Sequence, residues 1–484
     1  MNSSVLIGLI SFRIPLRTRC RNAMRAHVLA SLLLLVCAAC GARGQPTSDF
    51  TGADDEVGLM IQDPGHFHAA LVQKYDYSQI DPAVHVYAPV ENEVGSYLDL
   101  IERFNTREET PTNWTQRIYV GGDYQEKMAE EKPGNLMVVA GNNARKIGYI
   151  QHAVENGINV LADKPMVITP DGFPTLRSTV EKADERGLLV NDIMTERYVA
   201  ATRLQRALSQ NEELFGELRE GSPEKPAITK ESVHHFYKMV AGEPLIRPAW
   251  FFDVDQQGEA IADVSTHLVD LILWEAFPGE PIDYRNEADG VEVLSARSWD
   301  TEMTPAQFTQ VTGQQPYPEF LQSDVDSDST LNVAANGEFT FTVRGIHAKV
   351  SAEWDYENPG GGDTHYSIMR GTQANLTIRQ GEAQNFEPVL YVEPVGKGGD
   401  QFAATLKKAL KDLSPEYEGV TAESSEFGWR VNIPERYEEG HEEHFASVTE
   451  QYLQYLIDGQ LPEWERTNLL TKYYVTTTAY EMSR

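Results

Sequence analysis

From Val57 onward, short apolar runs closed by glycine, proline or aspartate alternate with segments of helical period. Val57-Gly-Leu-Met-Ile-Gln62 predicts a buried strand that breaks at Asp63-Pro64-Gly65, with a helix over 66–75 carrying Ala69, Ala70, Leu71 and Val72 on its inside. Further strands are predicted over 84–88, 135–140, 158–162 and 188–192. Helices are predicted over 147–156, stopping at Gly157, and 173–186, stopping at Gly187. Strands apolar throughout, separated by helices with glycine stops, imply βαβ units and a parallel sheet. The first domain is therefore read as Rossmann-like, over 56–198.

Beyond it the period changes. A helix over 201–214 gives way to extended segments over 227–235, 290–299, 338–354 and 375–379, with a strand and turn at 367–374 and a helix over 444–456. Phe339-Thr-Phe-Thr-Val-Arg344 alternates strictly, as a half-solvated antiparallel strand should. The expected class is α/β, a parallel Rossmann-like domain followed over 199–484 by an α+β domain with an open, largely antiparallel sheet.

The first residues follow a different rule. Arg13, Arg17, Arg19, Arg21 and Arg25 precede the apolar run from Val28 to Val36, and Cys37-Ala38-Ala39-Cys40-Gly41 follows. Basic, apolar and small-residue regions in this order read as a secretory signal, with an apolar run too short to span a bilayer. Met24 is a plausible start codon beside Met1. Ala38-Ala39-Cys40 resembles a lipobox, which implies a leader over 1–39, lipid on Cys40 and a polar linker over 40–55. The expected location is the periplasm or outer membrane, with a lipid anchor as the only membrane contact. Cys20, Cys37 and Cys40 are the only cysteines, so the body carries none for a disulfide or a thiolate site. With 73 Asp+Glu against 41 Lys+Arg, the chain repels polyphosphate and takes no nucleic-acid partner.

Candidate chemistry lies at the strand ends. Asp63, Gly65 and His68 occupy the three places of G-x-G-x-x-G in the first turn, so one glycine of three remains. Asp63 would set its charge against a pyrophosphate, which His66 and His68 partly offset. Strand 84–88 runs into Pro89 without an acid for a ribose hydroxyl, leaving NAD and NADP unresolved. Asn143 follows the third strand. Lys164 follows the fourth, on a turn stiffened by Pro165. Asp263, His267 and Asp270 share a helix face, an arrangement in which flanking acids hold an imidazole in one tautomer. His234, His235 and Lys238 form a basic cluster at a strand end. No metal ligands are assigned: His441-Glu-Glu-His444 has the wrong spacing for a zinc-protease helix, and Asp324 to Ala335 lacks the glycine and the final acid of a calcium loop.

Taken together, Asp63-Pro-Gly-His-Phe-His68, Ala140-Gly-Asn-Asn143, Asn159-Val-Leu-Ala-Asp-Lys-Pro-Met166 and Asp263-Val-Ser-Thr-His267 resemble the Gfo/Idh/MocA oxidoreductases, in the exported branch with an oxidoreductase C-terminal domain. The resemblance implies NAD(P)-dependent chemistry on a sugar, cyclitol or glycoside hydroxyl, with oligomer contacts through the C-terminal sheet. It implies Lys164, Asp263 and His267 as catalytic residues. Gly65, His66, His68, Asn143, Lys164 and Pro165 fall on the cofactor side, and His234, His235, Lys238 and Asp263 on the substrate side. Because an exported enzyme has no free nicotinamide pool, the cofactor is expected to be held tightly. Two alternatives stand beside this reading: a redox-neutral lyase or glycosidase on keto-sugars, with His66, His68 and His234 serving chemistry or a metal, and a non-enzymatic carbohydrate-binding lipoprotein. For the leader, labelled palmitate fed to an expressing bacterium should mark the chain, and Cys40→Ala should abolish the label; equal labelling of both forms refutes the anchor.

Overall fold

The structure, a computed structural model, describes residues 49–484 except 241, 242, 359, 360 and 397. The expected leader over 1–39, Cys40 and the linker up to residue 48 lie outside the described residues. Six strands, β1 (Leu59–Gln62), β2 (Ala83–Ala88), β3 (Thr115–Val120), β4 (Leu136–Val139), β5 (Asn159–Ala162) and β6 (Val190–Asp192), form a parallel sheet in the order β3-β2-β1-β4-β5-β6. That is the doubly wound order, with its reversal between β1 and β4.

Strand residues alternate between two cores. Leu59, Ile61, Val84, Val86 and Val138 face one, and Met60, Met137, Val139, Val160 and Ala162 the other. Helices α1 (His68–Leu71) and α2 (Glu91–Thr106) cover the first face. On the second lie α3 (Tyr124–Glu131), α4 (Asn143–Glu155) and α5 (Phe173–Arg186).

The predicted helix over 66–75 shrinks to the four residues of α1. Gln73 and Lys74 close tight turns onto Ala70 and Leu71, and their carbonyls are taken by the Trp114 indole (2.6 Å) and the Arg107 guanidinium (2.5 Å). Helix α4 starts earlier than its periodicity predicts, because the Asn142 side chain caps the Ala144 amide at 3.1 Å. Strand β3 and helices α2 and α3 were not read from the pattern; β3 is an exposed edge with no apolar alternation.

After α6 (Ala200–Ser209) the chain builds a second sheet from β7 (Ile228–His235), β8 (Glu292–Met303), β9 (Leu331–Val343), β10 (Ile346–Asp355), β11 (Thr364–Arg370), β12 (Ala374–Gln380), β13 (Val389–Pro394), β14 (Thr421–Ser425) and β15 (Gly428–Asn432). Its order is β8-β9-β10-β7-β11-β12-β13-β15-β14, antiparallel except for β10 beside β7. The segment read as one strand over 338–354 is two, turning at Arg344-Gly345, both with positive φ. Helices α7 (Val254–Gln257), α8 (Val264–Ala276), α9 (Pro305–Thr312) and α10 (Asp400–Asp412) follow in chain order. Of these, α8 lays Leu268, Val269, Ile272 and Leu273 on one face of the sheet, and α10 adds Leu406, Ala409 and Leu410.

Two last helices return to the first sheet. Phe445, Val448, Tyr452 and Leu456 of α11 (His441–Asp458) enter one of its cores, while Leu469, Leu470 and Tyr473 of α12 (Glu463–Met482) enter the other. Both sheets belong to one compact unit, with the expected division at 198/199 falling between them. No helix among the described residues is long and apolar enough to cross a membrane.

Buried charge joins the parts. Lys472 of α12 bonds Asp192 at the end of β6 (2.9 Å) and Asp270 of α8 (2.9 Å). Arg197 grips Asp270 with two bonds of 2.6 Å and Glu465 with two of 2.7 and 2.9 Å. Burial alone would push the Asp270 carboxyl up, but Arg197 and Lys472 hold it well below the usual carboxylate range. Its stabilising contribution is therefore present above its unfolded pKa, near 4, and is lost as pH falls through the depressed folded value. Asp270→Asn leaves two buried cations short of a partner, and denaturant titration at pH 7 should show a loss of about 3–5 kcal/mol; a change under about 1 kcal/mol would refute the role of this network.

Candidate functional site

A cleft of about 490 Å³ opens between the carboxyl ends of the first sheet and one face of the second, a volume ordinary for a small-molecule site. Of the residues picked from sequence, His66, His68, Asn143, Lys164, His234, Lys238, Asp263 and His267 line it together. Gly65 and Pro165 lie beside it in the turns that carry their neighbours. His235 turns inward and is buried.

Lys164 leaves β5 one residue after Asp163, and the Lys164–Pro165 peptide is cis. Tyr473 of α12 holds this turn: its hydroxyl accepts from the Met166 amide (3.0 Å) and donates to Asp192 (2.8 Å). Across the cleft, Asp263 sits at the N-cap of α8, with Oδ1 2.6 Å from Lys164 Nζ and Oδ2 accepting from Gln257 at 3.1 Å. Burial draws the Lys164 amine down, but Asp263 and Asp163 outweigh it and raise the net value. Lys164 is therefore an ammonium, a donor and not a base.

His267 lies one helical turn beyond Asp263. Burial, then the Lys164 charge, holds its imidazole well below the usual histidine range, so it is a neutral base at pH 7. Asp270 does not orient it, contrary to the helix-face reading, because Arg197 and Lys472 occupy that carboxylate. His267 Nδ1 has no hydrogen-bond partner among the described residues.

Asn143 is more structural than its position predicts. Its amide donates to the Gln257 carbonyl (2.8 Å), and its oxygen accepts from Lys146 Nζ (2.7 Å). Lys146 also donates to the Asp163 carbonyl at 2.9 Å and is fully buried, which pushes it down to about 8.

At the first turn, Asp63 has φ of 51° and faces inward, its carboxylate accepting from the Tyr149 hydroxyl at 2.8 Å. The charge that would oppose a pyrophosphate is therefore turned away from the cleft. Gly141 is required opposite it, since a Cβ there would stand 2.2 Å from the Asp63 carbonyl. The Gly65 and His66 amides are spent on Asp63 (2.8 Å) and Ala140 (3.0 Å). Side chains, His66 and His68, face the cleft where a glycine-rich turn would present backbone. Gly141, Lys164 and His267 line the cleft with them.

The far wall is built by the second sheet. His234 and His235 at the end of β7 both bond Asp363, at 2.8 and 3.1 Å, and Lys238 pairs with the same carboxylate. Burial would raise Asp363, yet these bonds hold it well below the usual carboxylate range. Trp354, opposite His234 in the register, stacks on Phe236 (5.3 Å, 15°) and takes the Arg247 guanidinium at 5.1 Å from its ring.

Cleft residues that went unassigned in the sequence include Asp163, Glu196, Arg247, Trp354, Asp363 and His441. His441 arrives from α11, with its ring 5.4 Å from that of His68. Only its H-E-E-H spacing marked it, and that spacing pointed to no site.

Known proteins match this architecture. The family described as "Putative oxidoreductase C terminal domain" matches residues 204–484. A "putative oxidoreductase" from Parabacteroides merdae is similar in structure at TM-score 0.87 and 50% identity, over 90% of this chain and 99% of its own. At fold level only, the chain is similar to GenD2 from gentamicin A biosynthesis in complex with NAD (TM-score 0.53, 15% identity, 89% of this chain and 94% of that one). It is likewise similar to KijD10, a 3-ketoreductase from Actinomadura kijaniata in complex with NADP and TDP-benzene (TM-score 0.51, 14% identity, 87% and 95%). No curated protein matches the sequence.

Lys146 offers a test of this packing. Its folded pKa lies below its unfolded one, so the unfolded state binds more protons between the two values and stability rises with pH across that window. Comparing the protein with Lys146→Met between about pH 8 and 10.5 should show the wild type gaining relative to the variant; parallel curves would mean the amine is hydrated.

Proposed function

The chain belongs to the Gfo/Idh/MocA-type oxidoreductases that carry this C-terminal domain, and on that premise we propose that it exchanges hydride between NAD or NADP and a carbinol of a sugar, cyclitol or glycoside. The observation that carries the reading is the Lys164–Asp263 pair at 2.6 Å beside neutral His267 in one cleft. Bound NAD(P) supplies the hydride carrier. His267 takes the hydroxyl proton, or returns it in the reverse direction. The Lys164 ammonium donates to the same oxygen and stabilises the charge that grows there. Asp263 fixes Lys164 and accepts from the substrate.

A carbohydrate is supported by the far wall, where Trp354 lines the cleft together with the polar side chains of His234, Lys238 and Arg247. The 3-ketoreductase complexed with NADP shares the fold and favours the same class of chemistry. Export, lipid attachment at Cys40, a tightly held cofactor and oligomer contacts through the second sheet complete the reading, on the support of the leader and the resemblance.

Denatured protein should release NAD or NADP, identified by mass; absence of any nicotinamide, together with no binding of added NAD or NADP, overturns the proposal. His267→Ala and Lys164→Met should each lower kcat by roughly 10²–10⁴-fold. Oxidation by the wild type should hold its kcat/KM from neutral pH through the ordinary histidine value of 6.5 and fall only below it. An inflection at 6.5 or above would assign the base to another group.

A further inference from the structure

His66 and His68 flank Phe67 on the first turn, and Asp163 comes from the end of β5, so two loops at the sheet's reversal deliver three donors to one point. One donor atom of each lies within 4.8 Å of the other two. His68 Nδ1 stands 3.1 Å from Asp163 Oδ2, and His66 Nδ1 stands 3.6 Å from the same oxygen. Two metal–ligand bonds of roughly 2.1 Å at a tetrahedral angle set their donors about 3.4 Å apart. These two separations bracket that spacing, and the third pair, His66 and His68, lies within 4.8 Å.

A plain histidine–aspartate hydrogen bond accounts for His68 alone. It leaves His66 Nδ1 buried with no hydrogen-bond partner among the described residues, 3.6 Å from the Asp163 carboxylate. An orphaned buried nitrogen is costly unless something outside the chain satisfies it. The Lys146 bond to the Asp163 carbonyl fixes the backbone behind the carboxylate, as an outer shell should.

We propose that His66, His68 and Asp163 bind a divalent first-row transition ion of the zinc class, with its open position facing the cleft beside Lys164. Two imidazoles and one carboxylate are a ligand set such ions accept with coordination sites left over. The open site takes an oxygen ligand from the molecule in the cleft. It accounts for two imidazoles standing where a glycine-rich turn would have none, and it does not rest on the hydride-transfer reading.

The test uses the full chain, freed of metal by chelation and dialysed, and titrated with Zn²⁺ or Co²⁺ alone. Calorimetry should give one equivalent, and Co²⁺ should show the intense visible absorption of low coordination. Loss of an outer-shell partner weakens a metal by roughly 10- to 100-fold, so His66→Ala, His68→Ala and Asp163→Asn should each weaken it by at least that. Circular dichroism checks that the variants are folded. Wild-type protein that binds neither ion stoichiometrically, or folded variants that bind as the wild type does, overturns the proposal. A failed nicotinamide assay would leave this result unchanged, and a failed titration would leave the nicotinamide result unchanged.

Discussion

Lys472 is buried between Asp192 and Asp270, and the rest of the structure depends on that position. An ammonium in such a place carries a large desolvation cost, which only close carboxylates offset. One of these comes from the last strand of the first sheet and the other from the helix that packs on the second. The two sheets cannot part without stranding the cation. Arg197 repeats the arrangement with Asp270 and Glu465, so the linker after β6, α8 and α12 are held by one charge network. Tyr473, the next residue on α12, takes the Met166 amide and thereby fixes the turn that bears Lys164.

Held in this way, the cleft keeps opposite electrical states close together. Lys164 stays charged because Asp263 faces it at 2.6 Å, while His267 nearby stays neutral because it is buried and meets that same ammonium. A donor and a base coexist without neutralising one another, which is the division that alcohol chemistry needs. At the other wall, Asp363 gathers His234, His235 and Lys238, so three donors are oriented by one acid.

Much of this was legible. Glycine stops and apolar strands placed five of the six parallel strands, and the segments carrying Lys164, Asp263 and His267 came together as their order implied. The first turn was harder to read. Asp63 looked hostile to a phosphate, yet its φ of 51° and the Tyr149 hydroxyl turn it inward, and no local pattern encodes a partner 86 positions away. Asp270 looked like a partner for His267, because spacing on a helix cannot reveal a lysine arriving from α12. Asp363 was invisible and His441 misleading for the same reason: each is an ordinary polar residue until a distant element sets it against the cleft.

Helices α11 and α12 complete both faces of the first sheet, and this governs how the chain must fold. Tyr452 reaches Leu189 across 263 positions and Tyr473 reaches Asp192 across 281. Such contacts form only after long loops have closed, so the first sheet assembles slowly and late in comparison with a fold of local contacts. Until those helices arrive, Leu59, Ile61, Val84 and Met137 belong to a parallel sheet whose two faces are only partly covered, the kind of intermediate prone to self-association.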